Sequence, residues 1–172
     1  MADTMRAIRS SIGASFGGLA AKMAYLGGVI VAAIGLMSAV SIIGRSAISR
    51  PITGDFELVE IGTAVAGSLF LPYCQARQGH IVVDFFTLGA SERVKTWLDR
   101  VGCLLMAITF LAIGWRTVIG CIDISRSGET SMLLGFPIWI GYAAAAPGII
   151  FAGLTALFQA FGFEISERMV DE

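Results

Sequence analysis

Charge is scarce in this chain, and so are the residues that carry most chemistry. Only 15% of its 172 residues are Asp, Glu, Lys or Arg, whereas 56% are hydrophobic. A water-soluble domain keeps about a quarter of its residues charged, so this chain lacks the polar surface to cover itself in water. It has one histidine, His80, and a single imidazole cannot supply the paired axial ligands of a four-helix haem protein. Its three cysteines, Cys74, Cys103 and Cys121, lie far apart in or beside apolar segments. They form no Cys-x-x-Cys pair, which argues against a zinc knuckle or a dithiol redox motif, and they read as small buried hydrophobes. The net charge of −1 leaves no basic face for nucleic acid. No phosphate-binding loop, nucleophile motif or metal-ligand cluster is present. The reading is a protein that is not an enzyme and has no cofactor or metal of its own.

What the chain has is long apolar runs. Mean hydropathy is +0.79, and Met23 to Gly44 pass without a charge, about the 20 residues that cross a bilayer core. A cleavable secretory signal would have an apolar region of about 7–15 residues, so this run reads as a retained first span, closed by Arg45. The fold class expected is an all-α integral membrane protein, a single domain over residues 1–172. It has four transmembrane helices, at about 23–44, 56–76, 97–119 and 138–161, and an interfacial amphipathic helix over about 84–97.

The second span carries most of the information. Pro51 and Gly54 favour a turn before it, Asp55 is the expected N-cap, and Glu57 falls in the first turn, where acids complement the helix dipole. Glu60 lies a turn deeper on the face of Glu57. Ionisable groups at membrane depth face protein or water rather than lipid, so Glu60 either meets a protein partner or lies at the interface. Arg45 is expected to pair with Glu57 or Glu60, and Asp55 to be wetter than Glu60. Gly62 with Ala66, and Thr63 with Gly67, have the four-residue spacing that allows close helix approach. Pro72 is placed to kink the last turn. His80 follows at the exit, where it would bond backbone groups or a neighbouring chain.

Ser91 can cap a helix in which Val94, Trp97, Leu98 and Val101 share one face. That pattern fits a segment lying along the membrane surface; the rival reading is the inner end of the third span. From Trp97 to Trp115 a helix rises about 27 Å, one indole for each interfacial belt, and Arg116 can snorkel outward. Pro137 suits the first turn of the last helix. With both termini inside, eight Lys and Arg residues lie on the cytoplasmic side and four (Arg45, Arg50, Arg116 and Arg126) on the other. The positive-inside rule favours that orientation.

Arg45, Pro51-Ile52, Glu57-Leu58, Glu60 and the run Gly79-His80-Ile81-Val82-Val83-Asp84 resemble the signature of the small, Q-type membrane subunit of TRAP (tripartite ATP-independent periplasmic) transporters. The run Thr130 to Trp139, with Tyr142 and Pro147-Gly148, resembles that family's approach to its fourth helix. The likeness extends from about Lys22 to Phe161. The chain departs from many members near Gly54-Asp55 and at Gln78-Gly79. The resemblance implies a scaffold subunit that pairs with a large M-type subunit carrying the substrate and sodium sites, and that helps dock a periplasmic substrate-binding protein. It implies uptake of organic acids across a bacterial or archaeal cytoplasmic membrane. Arg45, Glu57, Glu60, His80, Asp84 and Trp97 are the expected subunit-contacting or anchoring residues, with membrane lipids as the remaining neighbours. A contrasting reading from the residues alone is a small autonomous proton-coupled exporter using Glu60.

Overall fold

A computed structural model describes residues 2–48, 52–77 and 91–162. They form four helices: α1 (Ala2–Ile48), α2 (Asp55–Ala76), α3 (Glu92–Ser127) and α4 (Trp139–Ala160). Among the described residues there is no strand, only one isolated bridge between Thr130 and Pro137 in the α3–α4 connection. The main helix contacts run in the spatial order α1, α2, α4, α3, so α2 and α4 form the centre.

The two central helices have 22 residues each, about 33 Å at ~1.5 Å per residue. The outer two are longer, 47 residues in α1 and 36 in α3. Trp97 and the first charged turns belong to α3 itself. The part of the expected surface helix that is described, Glu92 to Trp97, is thus continuous with the third helix. Nothing in those turns breaks the helix: no Gly or Pro occurs between Glu92 and Val101. Residues 84–90 lie outside the described residues, as do His80 and Asp84.

The interior is built from small residues. Ala66, Ala107, Ala145, Ala146, Ala152 and Ala156 are buried, and the largest fully buried side chains are Gln75, Thr155, Pro72 and Ser41. Large apolar side chains point outward instead: Leu36, Leu105, Ile108 and Trp97 are all more than half exposed. In water this would be a cost of several kcal/mol; in lipid it is the expected arrangement, because helices there associate by close packing rather than by hiding leucine. Three helices are long and apolar enough to cross a membrane: α1 over Ser15–Ala47, α3 over Arg93–Ser127, and α4. The fourth, α2, is long enough but is not among them. Glu57, Glu60, Pro72 and Gln75 reduce its apolar character.

Backbone approach sets the crossings. α1 meets α2 where Gly62 lies against Ile34 and Gly27 against the carbonyl of Ala66. On the other side, Gly148 of α4 lies against the backbone of Ser68, where any Cβ would come within 2.7 Å of the carbonyl carbon. Pro72 accounts for that site: it has no N–H to donate to the Ser68 carbonyl four residues earlier. The freed oxygen faces a glycine whose Cα can approach it. Of the two small-residue pairs expected to pack closely, Gly62 and Ala66 do so, whereas Thr63 and Gly67 face away from the bundle.

Candidate functional site

Two polar knots close the opposite ends of α2. The first is at its N-terminus. Gly54 rather than Asp55 is the N-cap, in a left-handed conformation at φ 79°, which glycine adopts without a Cβ clash. Asp55 is the first helical residue, and its carboxylate is used elsewhere. It accepts the Ser41 hydroxyl at 2.5 Å and faces Arg45 at 3.5 Å, while its second oxygen accepts the Phe56 N–H at 2.9 Å. Ser41 is buried and in turn accepts the Ile52 N–H at 3.3 Å. The partner of Arg45 is therefore Asp55, not Glu57 or Glu60. Asp55 is also not the wetter acid: its side chain is 14% exposed, whereas Glu60 is an exposed residue. Arg45 further lies 5.7 Å from the centre of the Phe56 ring, within cation–π range.

Glu57 reaches in another direction. Its two carboxylate oxygens accept the backbone N–H groups of Leu133 and Leu134 at 2.8 and 3.1 Å. They hold the turn Ser131–Gly135, which Ser131 also closes from within by bonding the Phe136 N–H through its hydroxyl at 3.1 Å and its carbonyl by its own N–H at 2.8 Å. Leu134 fills the space beside Gly54, where a Cβ would lie 2.8 Å from either Leu134 methyl. Met132 is left 99% exposed at the tip. Pro137 precedes the α4 N-cap, Ile138, and so lies outside the first turn of that helix; it supplies the bridge to Thr130 instead.

The second knot lies at the other end of α2. Gln75 donates from Nε2 to Gln159 Oε1 at 2.7 Å, and Gln159 donates back to the carbonyls of Gln75 and Ala76 at 2.9 and 3.3 Å. Both amides are buried. The carbonyls served belong to the last turn of α2, which has no intrahelical donors of its own. The sequence reading overlooked this pair. The available signal was an uncharged amide in the last turn of each of two 22-residue apolar segments, where a polar group in hydrocarbon needs a partner.

Of the expected site residues, Arg45 and Glu57 lie in the first knot. Glu60 has no hydrogen-bond or ion-pair partner among the described residues. Trp97 projects from the first turns of α3, 64% exposed. The apolar recess between α3 and α4, about 530 Å³, is lined by Val118, Ile122, Ala146, Ile150 and Leu154 with Cys121, and does not include Glu60. Among the described residues no group of three or more His, Cys, Asp or Glu could hold a metal ion. Among the described residues the arrangement ties helices together.

The family described as "Tripartite ATP-independent periplasmic transporters, DctQ component" matches residues 34–163. These run from the middle of α1 through the whole of α4 and include both knots. No curated protein and no solved structure matches the chain. With most of the sequence matched and three helices fit to cross a bilayer, the chain belongs to the DctQ family, the small transmembrane permease subunit of TRAP transporters.

Proposed function

We propose that this chain is the non-catalytic scaffold subunit of a TRAP-type importer of organic acids. In this reading it pairs with a large sodium-coupled membrane subunit and helps a periplasmic binding protein dock. The observation that carries it is the family match over residues 34–163, supported by a bundle in which buried Ser41, Gln75 and Gln159 join helices. α2 is then the fourth span, its polar ends held by Asp55 and Glu57 at the outer surface and by Gln75 at the inner one. Both termini are cytoplasmic, with the basic residues on that side. Sodium and substrate are handled by the large subunit.

Co-expression with the large permease encoded beside it, followed by purification through a tag on this chain, tests the reading. Recovery of a large multi-span partner in stoichiometric amount is the expected result; recovery of this chain alone under conditions where both are made would overturn it. An autonomous exporter acting through Glu60 would need that acid in a polar passage. Glu60 is instead exposed near the start of α2, and the apolar recess between α3 and α4 does not include it.

A further inference from the structure

α2 is covered on two flanks and open on a third. At ~100° per residue, Gly62, Ala66 and Leu69 turn toward α1, and Ile61, Ser68 and Pro72 toward α4. Phe56, Glu60, Thr63, Gly67 and Phe70 fall within an arc of about 80° on the remaining side, and all five are exposed. Phe56 is 70% and Phe70 39% exposed, each with its other edge toward α1, Phe56 by Arg45 and Phe70 by Gly27. Between them Thr63 and Gly67 form a shallow depression; a Cβ added to Gly67 would meet nothing within 4 Å. One acid, Glu60, interrupts this otherwise uncharged face.

The charge decides what covers it. Five residues, about 7.5 Å, separate Glu60 from the helix start at Asp55. A carboxylate there facing acyl chains without a counter-charge is costly. A second copy related by a two-fold axis through this face would set Glu60 against Glu60, two like charges. Among the described residues no cation pairs with Glu60, and Arg45 is already held by Asp55. We infer that the Phe56–Phe70 face of α2 seats one transmembrane helix of the large subunit, with a lysine or arginine of that helix against Glu60. Phe56 and Phe70 flank the incoming helix, and Thr63 and Gly67 allow its backbone to come close. This rests on the subunit reading above and adds the face and the counter-charge to it.

The test uses the co-expressed complex in membranes, with a photo-crosslinking amino acid placed at Thr63 or Gly67 of this chain, and at Leu105 on the outward side of α3 as the comparison. Adducts with the large subunit from 63 and 67 but not from 105 are expected. Glu60→Lys is expected to lower the recovered large subunit at least tenfold, since breaking a buried interface charge pair weakens affinity about 30-fold or more, and Glu60→Gln less. A basic residue of the large subunit changed to Glu should restore recovery with Glu60→Lys. Adducts from 105 alone, or between two copies of this chain from 63 and 67, would overturn the assignment while leaving a purified complex intact. Loss of the large subunit from the wild-type preparation would instead sink the subunit reading itself.

Discussion

Asp55 and Glu60 are five residues apart and have opposite roles. Asp55 is enclosed by Ser41 and Arg45; Glu60 is exposed, with no hydrogen-bond or ion-pair partner among the described residues. Asp55→Ala should therefore destabilise the purified chain by about 1–3 kcal/mol, the loss of hydrogen bonds to a charged group together with a buried Ser41 hydroxyl left unsatisfied. Glu60→Ala should leave its thermal midpoint unchanged. A detergent-solution melting series checks both, and a larger fall for Glu60→Ala would contradict the geometry. Sequence spacing pointed to the deeper acid as the one meeting a protein partner, and to Asp55 as the wetter, because it counts only distance along the helix. What it could not register is that Ser41, on the preceding helix, sits opposite position 55. Arg45 and Glu57 stood out in the sequence, but the groups they bond within the chain did not. Arg45 turned to the acid dismissed as a cap, and Glu57 to backbone N–H groups 76 and 77 residues away.

At the scale of helices, glycines separate packing positions from open ones. Gly148→Ala would drive a methyl into the Ser68 carbonyl, a backbone contact that no side-chain rotation relieves. Overpacking of this kind costs about 1–3 kcal/mol or more. Gly67→Ala, in the same helix as Ser68, meets open space and should leave the melting midpoint of the isolated chain equal or slightly raised, alanine being the better helix former. The amide clamp yields a second prediction. Gln159→Leu should destabilise the chain by about 1–3 kcal/mol, since Gln159 both accepts from Gln75 and serves the α2 carbonyls. The double-mutant cycle should show a coupling of roughly 0.6–2 kcal/mol between them, as for interhelical hydrogen bonds in lipid; zero coupling would mean that the two amides act independently. Helix existence was readable from the apolar runs. The order α1, α2, α4, α3 was not, because it depends on which small residues find each other.

For the molecule as a whole, the small-residue interior and the bulky exterior describe a protein dissolved in lipid on most sides. The 47 residues of α1 make a helix of about 70 Å, more than twice the ~30 Å hydrocarbon core, so a large part of it extends beyond the core. A cysteine introduced at Met132, at the tip of the pinned turn, should react with a membrane-impermeant maleimide added to the outside of spheroplasts, in a background with Cys74, Cys103 and Cys121 replaced. One at Lys22 should react only after the membrane is opened. The reverse pattern would invert the orientation inferred from the basic residues.

The amide clamp also has a bearing on how the chain is made. Gln75 and Gln159 are 84 residues apart, and bacterial-type synthesis at about 5–20 residues per second leaves roughly 4–17 s between them. During that interval α2, which is not among the three helices apolar enough to cross a membrane, waits for Gln159 of α4, which is not yet synthesised. Its stable residence in the bilayer should accordingly be a late event, timed by the arrival of α4. Chains stopped before Trp139 should expose α2 to membrane proteases, whereas complete chains should not, which makes the last helix a checkpoint on the second.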